Sequence, residues 1–524
     1  MFAKIEVWQN RVAGLLLILV LCVQPLYLNA ERYGRLTRHK YIFFVSYMVI
    51  ILLAVIVIWI VRMTNKPRLV PVERPYLADW AILGLALITL LSTLLSPFPE
   101  TFIAIPTAAE PLIIEGNVWN GLAERHDGSI AQLLYVALFF IIAHWYKPHM
   151  RHLTFFGISA ILVALIGILQ FYGMDFLRLW PNHRPEHYRE NFYNIHFRST
   201  LGNTNIVSTY VCVAVLLSGF LYIKMRTKLK YLWLASSALC FWLMELEDAD
   251  SGRVGLMVAM VLAIPLVVEN LKVLGRTLIL AASWLSAYTL QNLFYDVKIL
   301  ESRTFSSLFL FIAAAAVLLA AGAVLVKFGK ETDRDGPVRW KLGVILIAAC
   351  LAAGIAGVEV LGRRDAEAGN AGFIYEMREI MHGNIQDEFG TNRVYIWRNA
   401  LEAYPNRPLI GSGPDTFAQA FSREAQGPYG EFYQNAHNEY IQILICQGIL
   451  GLICYLLFLA ATYMKSVPKA FKNPLTAAVL VAFTGYCAQA FFNLSLPIVS
   501  QLLWLLAGLL ANKSVRETGL DLIT

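Results

Sequence analysis

The pattern with the clearest chemical meaning is His437-Asn438, followed by nine residues and then Gly448-Ile449-Leu450-Gly451. It lies where a long polar segment enters an apolar run, so we expect His437 in the first turn of a membrane helix. The helix dipole disfavours imidazolium at that end, which keeps the ring neutral and able to accept a proton. A neutral histidine in a sheltered cleft can act as general base on an alcohol. The alternative is an interfacial histidine that caps the helix, with two glycines that permit close helix packing.

Arginines accompany this histidine. Segments 173–202 and 362–437 together contain eleven arginines and no lysine. The arginine fork binds phosphate or carboxylate through two hydrogen bonds and stays charged when it is desolvated. The set as a whole therefore indicates an anionic ligand, although any single arginine can instead pair with an acidic neighbour such as Glu376, Asp387 or Glu402.

Three shorter motifs supply further candidate contacts. Small residues and asparagines open an apolar run between Arg198 and Asn205, where free backbone N–H groups suit an anion or belong to an ordinary helix cap. Ser251-Gly252-Arg253 puts a charge at another helix start, where it faces a cavity or pairs with Asp248 or Asp250. Gly411-Ser412-Gly413-Pro414 is typical of a tight turn that lines a pocket or merely reverses the chain.

The sequence does not favour a metal or a nucleotide cofactor. The acidic stretch 245–250 contains a D-x-D spacing that could hold a hard cation, but nearby arginines are available to neutralise it. The seven cysteines all lie in apolar runs, and none stands at metal-binding spacing from a histidine. Because Walker, dinucleotide-binding and serine-hydrolase motifs are absent, we expect no ATP, NAD or acyl chemistry through serine.

The elements that must position these residues are membrane helices. Of the 524 residues, 58% are hydrophobic and 15% are charged, against about 25% charged in soluble proteins. Many apolar runs reach the roughly 20 residues that cross a bilayer. The formal net charge is +7, with lysines concentrated in alternate loops, which is typical of cytoplasmic loops rather than of nucleic-acid binding. The composition excludes a cytosolic enzyme, a disulfide scaffold and a disordered tail.

The apolar runs predict an all-α polytopic membrane protein with fourteen transmembrane helices and both termini in the cytoplasm. The predicted spans are residues 12–30, 41–61, 78–96, 129–146, 153–172, 203–223, 231–246, 253–269, 275–292, 304–327, 340–361, 438–464, 474–493 and 496–512. Residues 31–40 are basic, yet this scheme places them outside.

The chain divides into three predicted parts. Residues 1–361 contain spans one to eleven and the external loop 173–202. Residues 362–437 form a large external loop with helices at Phe373–His382 and Arg393–Ala403, which stop at a glycine and before a proline. Residues 438–524 contain the last three spans and a cytoplasmic C-terminus.

Taken in order, the motifs resemble the O-antigen ligase and polymerase family of bacterial membrane proteins. The similarity runs from about residue 150 to residue 495. It rests on Gly202-Asn203-Thr204-Asn205, Ser251-Gly252-Arg253, Arg393-x-x-x-Trp397, Gly411-Ser412-Gly413-Pro414 and His437-Asn438-x9-Gly448-x-x-Gly451. The family usually has Ser-Arg-Gly where this chain has Ser251-Gly252-Arg253, so the Arg253 side chain is expected to point differently.

The resemblance implies a cofactor-free, metal-independent glycosyltransferase in the bacterial cytoplasmic membrane, with its active site facing outside. Such an enzyme moves a glycan from an undecaprenyl diphosphate carrier to a hydroxyl of a glycan, lipid or protein acceptor, and direct attack inverts the anomeric carbon. The carried-over catalytic residues are His437 as base and Arg198, Arg253 and Arg393 as diphosphate ligands. The expected substrate-binding residues are Asn203, Asn205, Trp397, Gly411, Gly413 and Asn438.

Two other classes of protein stay open at this point. A flippase or exporter of lipid-linked oligosaccharides could also have fourteen spans, although transporters usually place polar residues near mid-membrane and often show inverted repeats. A non-enzymatic scaffold for envelope assembly would need neither the histidine nor the arginines. Within the enzyme class, the lack of a distinctive acceptor domain favours a polymerase over a ligase.

Overall fold

The computed structural model is a bundle of membrane helices. It describes residues 2–33, 35–64, 76–105, 112–123, 125–172, 174–179, 199–247, 249–299, 305–329, 337–369, 372–421 and 433–517. Arg198 lies outside these ranges, as does Asp248.

Each of the fourteen predicted apolar runs coincides with a helix. These helices are α1 (Phe2–Ile18, continued by a π-helical turn Leu19–Val23 and by Gln24–Leu26), α2 (Leu36–Thr64), α3 (Leu77–Leu94), α4 (Ser129–Trp145), α5 (Met150–Phe171), α6 (Thr204–Lys224), α7 (Lys230–Glu247), α8 (Asp250–Leu262, followed by Ile264–Val267), α9 (Leu271–Ile299), α10 (Phe305–Phe328), α11 (Pro337–Glu367), α14 (Glu439–Ala470), α15 (Pro474–Gln489) and α16 (Gln501–Ala511). The large loop adds α12 (Phe373–Met381) and α13 (Phe389–Ala403). The two helices predicted within that loop are therefore confirmed.

The predicted class, an all-α multi-pass membrane protein, is confirmed. Within the described ranges, nine helices are long and apolar enough to cross a membrane, and three further apolar helices are shorter. The number of spans, fourteen, stays a prediction. At the centre lies α6, which is apolar all round and buried along its apolar length, and which packs against α7, α8 and α15. At the periphery, α11 leaves most of its apolar surface exposed.

A small β-sheet, which the sequence analysis did not predict, interrupts the helices between α3 and α4. Its strands are β1 (Glu100–Ile105), β2 (Leu112–Asn117) and β3 (Gly121–Leu122), in the antiparallel order β1-β2-β3. Glu100 pairs with Asn117 in the register of β1 and β2. Strands of six residues are too short to stand out against long apolar helices.

The two ends of the bundle differ in charge. The start of α14 lies beside the start of α6, because Glu439 N–H donates to Ala490 O (3.0 Å) and Asn493 Nδ2 donates to Asn205 O (2.9 Å). Both helices finish at the opposite end with lysines nearby, Lys224 on α6 and Lys469 on α14. The end that contains His437 is therefore the one away from these lysines.

Candidate functional site

A cleft of about 550 Å³ opens at the His437 end of the bundle, between α6, α8, α12 and α13. It brings together four of the predicted site residues. These are Asn205, Arg393, Trp397 and His437. The rest of the described lining consists of Thr204, Glu247, Ala249, Asp250, Ser251, Val254, Phe373, Glu376, Met377, Ile380, Phe389, Gly390, Thr391, Asn392, Val394, Tyr433 and Phe492.

His437 lies two residues before α14, rather than in its first turn as predicted. Its backbone has a left-handed φ of 48°, and its N–H donates to Asn435 Oδ1 at 2.9 Å. The ring Nδ1 is buried and has no hydrogen-bond partner among the described residues. Burial, followed by the charges of Arg393 and Arg125, lowers the pKa of His437 to about 4. The ring is therefore neutral at neutral pH, mainly because of desolvation rather than the helix dipole.

Two asparagines predicted to bind substrate act as helix caps. Asn438 accepts hydrogen bonds from Tyr440 N–H (2.9 Å) and Ile441 N–H (3.1 Å) at the start of α14. Asn203 accepts one from Asn205 N–H (2.9 Å) at the start of α6. Caps of this kind typically contribute about 1 kcal/mol to helix stability. Neither asparagine is part of the described cleft lining, whereas Asn205 is.

Arg393 and Trp397 lie one turn apart on the same face of α13. The Trp397 indole N–H donates to Ala436 O at 2.9 Å, and its ring contacts Phe491 edge-on with centroids 5.4 Å apart. Trp397 therefore fixes the residue that precedes His437 as well as lining the cleft. The motif Arg393-x-x-x-Trp397 therefore places a positive charge and the indole that holds Ala436, next to His437, on the same side of the cleft.

Three consecutive residues before Arg393 have left-handed backbone conformations. Their φ angles are 64° for Gly390, 60° for Thr391 and 65° for Asn392. A β-branched residue such as Thr391 rarely adopts this conformation, and such strain is concentrated at functional sites. Arg393 begins the regular part of α13 and donates to Gly390 O (2.6 Å). Burial lowers the pKa of Arg393, while the charges of Asp250 and Glu376 oppose that shift.

Arg253 is absent from the described lining of the cleft, although its partner Asp250 is part of that lining. Its guanidinium lies 3.4 Å from Asp250 and 3.5 Å from Glu245, and it also donates to Glu245 O (3.2 Å). Arg253 is therefore paired with carboxylates in this structure, and its predicted diphosphate contact stays a prediction. The preceding Gly252 crosses α6 so closely that a Cβ would lie 2.3 Å from Ser208 Oγ. A side chain therefore does not fit at position 252 without a shift of Ser208.

Gly411 and Gly413 lie at a break in α14 rather than in the cleft. Gly448 has φ 71° and ψ −175°, which interrupts the hydrogen-bond ladder of α14. Loop residues 408–413 form hydrogen bonds with the backbone groups that this break leaves unpaired. Ser412 N–H donates to Ile445 O (3.1 Å) and Gly413 N–H donates to Cys446 O (2.9 Å). On the other side of the break, Ile449 N–H donates to Pro408 O (2.8 Å). A Cβ on Gly411 would lie 2.3 Å from the Cys446 carbonyl carbon. We call the contact between residues 408–413 and α14 around Gly448 the Gly448 seam.

Carboxylates form part of the cleft that the sequence analysis did not anticipate. Glu247, Asp250 and Glu376 line it together with one described arginine, Arg393. The acidic stretch was visible in the sequence, but its proximity to Glu376, more than a hundred residues later, was not. No group of three metal-binding side chains occurs within the ranges that the structure describes.

A second missed feature is a buried ion pair close to His437. Arg125 Nε donates to Asp415 Oδ1 at 2.7 Å, and Asp415 Oδ2 accepts Leu122 N–H at 2.8 Å. Both side chains are almost fully buried. The pair ties the sheet-bearing segment to the loop of the Gly448 seam. Three ionisable residues in a row, Arg125 to Asp127, stand directly before an apolar run and were the available signal.

Comparisons with known proteins agree with the motifs. Residues 304–456 match the family model described as O-antigen ligase. This range includes Arg393, Trp397 and His437 and is shorter than the similarity expected from the motifs. The chain is also 28% identical over 105 residues to the exopolysaccharide production protein ExoQ of Rhizobium meliloti (strain 1021), a match that covers 19% of this chain and 24% of that protein. Together with the helical membrane architecture, these matches show that this part of the chain is similar to the O-antigen ligase family and, more distantly, to an exopolysaccharide production protein.

Proposed function

We propose that the chain is a membrane glycosyltransferase that moves a glycan from an undecaprenyl diphosphate carrier to an acceptor hydroxyl, with His437 as the general base. The observation that carries the proposal is the half-buried His437 ring, whose buried Nδ1 is unpartnered among the described residues and which lines a cleft beside Arg393. The family match supports glycan transfer in general, and the donor and stereochemistry come from the resemblance.

In the proposed reaction, the acceptor hydroxyl transfers its proton to the His437 ring while its oxygen attacks the anomeric carbon. The bond between that carbon and the diphosphate oxygen breaks, so negative charge develops on the diphosphate. Arg393 lies where a preorganised positive charge could stabilise it. Attack from the face opposite the leaving group inverts the anomeric centre. A diphosphate near Arg393 would offset the positive charges that lower the pKa of His437, so donor binding would make the base stronger.

We favour a polymerase, which adds glycan to a growing glycan chain, over a ligase. The relative is described as an exopolysaccharide production protein, and polymer formation requires that the acceptor itself be a glycan. The aromatic residues Trp397, Tyr433 and Phe492 in the cleft provide apolar faces for sugar rings, and Glu247 and Glu376 provide acceptors for sugar hydroxyls. The position of the cleft at the end away from the lysines supports an active site on the outer face.

Transport of lipid-linked oligosaccharides is the rival function. Deletion of the gene and glycan profiling of the host distinguish the two. Single repeat units on their acceptor would identify a polymerase, full-length chains on the carrier a ligase, and units held at the cytoplasmic face a transporter.

The test of the base uses purified protein in proteoliposomes with lipid-linked donor and glycan acceptor. We expect His437→Ala to reduce transfer by about 10²–10⁴-fold, the usual contribution of a general base. The matched control is His382→Ala, because His382 is an exposed histidine of the same loop, bonded to Glu359 at 2.8 Å. Wild-type transfer by a well-folded His437→Ala protein would refute the assignment.

A further inference from the structure

The hairpin between α1 and α2, which we call the basic hairpin (residues 27–40), lies beside the cleft. Tyr33 OH donates to Ser199 O and accepts from Gln170 Nε2 (3.0 Å), and the Leu36 side chain lies against Gly202. Thr204 and Asn205, two and three residues beyond Gly202, line the cleft. The basic hairpin and the cleft are therefore neighbours at the same end of the bundle.

The charge of the basic hairpin is unusual for that end. It contains Arg32, Arg35 and Arg38, of which Arg35 and Arg38 are exposed. None of the three forms an ion pair with a carboxylate that the structure describes, since Glu31 lies instead 3.3 Å from His39. Basic residues normally collect in cytoplasmic loops, and the lysines of α6 and α14 lie at the opposite end. These exposed arginines are available to bind an anion.

An apolar groove adjoins the basic hairpin. It has a volume of about 480 Å³ and is open towards the outside of the bundle. One wall comes from the π-helical turn after α1 and ends at Tyr27, the first residue of the hairpin; the other comes from α5. Phe155, Ile158 and Leu162 are 44–47% exposed along it. The lining consists of Ile18, Cys22, Val23, Leu26, Tyr27, Phe155, Ile158, Ser159 and Leu162.

We propose that the groove and the basic hairpin form a docking site for a prenyl diphosphate, with the prenyl chain in the groove and the diphosphate on Arg35 and Arg38. This inference rests on the proposed function, because it supplies a site for the lipid part of the donor. The described lining of the cleft contains one arginine and three carboxylates. Because carboxylates repel a diphosphate, we expect the diphosphate to bind first to cationic residues on a neighbouring surface. A single groove next to one cationic cluster fits one chain with a diphosphate better than a phospholipid with two chains.

Binding of geranylgeranyl diphosphate to the purified full chain in nanodiscs tests the diphosphate contact. We expect the double variant Arg35→Gln/Arg38→Gln to bind at least tenfold more weakly than wild type, since each exposed arginine loses a charge-assisted hydrogen bond. The control is Arg151→Gln, which removes another exposed arginine, at the start of α5 and away from the basic hairpin, and should change the dissociation constant less than twofold. Equal binding by the double variant and wild type, or an equal loss in the control, would overturn the proposal.

Filling the groove tests the prenyl contact. Ile158→Trp puts a larger side chain at an exposed groove position and should weaken binding of geranylgeranyl diphosphate while leaving binding of inorganic diphosphate unchanged. Competition by phosphatidylglycerol at equal strength would assign the site to bilayer lipid and overturn the proposal.

His437→Ala should bind geranylgeranyl diphosphate as wild type does. Normal binding with normal transfer in that variant would reject the catalytic proposal while leaving the docking site intact.

Discussion

The cleft and the Gly448 seam come from the two halves of one sequence motif but are constructed in opposite ways. At His437 and Arg393, ring Nδ1 and guanidinium Nε are buried without hydrogen-bond partners in the described part of the chain. At the seam, the broken helix exposes backbone groups, and residues 408–413 pair with them one by one. Unpaired buried polar groups cost free energy, so they persist where they serve chemistry, whereas a structural break has its groups paired. The unpaired groups of the first region agree with the proposed catalytic role, whereas the paired groups of the second hold its geometry.

The largest effect expected at the seam comes from Gly448→Ala. An alanine Cβ would lie 2.3 Å from the Leu409 carbonyl, and the left-handed φ of 71° adds about 1–2 kcal/mol of strain. We expect a clear loss of folded protein, measured by yield and by thermal unfolding in detergent. Gly354→Ala on α11 makes the same change where a Cβ meets nothing within 4 Å, and it should be harmless. Equal stability of both variants would contradict the structural role of the seam.

A smaller effect is expected where the two kinds of region meet, at Trp397. Trp397→Phe keeps most of the ring but removes the hydrogen bond to Ala436 O next to His437. A hydrogen bond of this kind contributes about 0.5–1.5 kcal/mol, so kcat should fall by up to about tenfold. Thermal unfolding should change little. Trp80→Phe, at a tryptophan that is 61% exposed, is the control. A change confined to KM would indicate that Trp397 binds substrate and does not position the histidine.

The smallest expected effect is that of mild acid. With the pKa of His437 at about 4, about nine-tenths of the rings are still neutral at pH 5, so kcat/KM should be nearly constant from pH 7.5 to pH 5. An ordinary histidine would already lose half its activity near pH 6.5.

The same shift affects stability. Because the folded pKa is depressed below the unfolded value, the unfolded chain binds the proton first, so stability is full above about pH 6.5 and falls as the pH drops towards 4. Arg393→Gln removes a nearby positive charge and should move the acid limb of kcat/KM to higher pH. A limb that stays in place would show that Arg393 does not contribute to the low pKa of His437.

The sequence predicted much of the helical framework because each helix has a local signal. Long apolar runs identified α1 to α11 and α14 to α16, and stop signals identified the helices that begin at Phe373 and Arg393. The small sheet was missed because its strands are short. The capping role of Asn438 and the two-residue offset of His437 were missed because the start of α14 depends on which side chain reaches the first free N–H groups.

The sequence by itself determined that this is a membrane protein and where most of its helices lie, and it suggested His437 with a set of arginines as candidates for binding an anionic ligand. The tertiary structure decided which candidates share a cleft. It joined Arg393, Trp397 and His437, paired Arg253 with Glu245 and Asp250, and turned Gly411 and Gly413 into the seam. Helix propensity and the spacing of apolar residues depend on residues that are neighbours in the sequence, so helices can be predicted from the sequence alone. The pairing of charges and the closure of backbone hydrogen bonds depend on distances between residues far apart in sequence, which only packing sets.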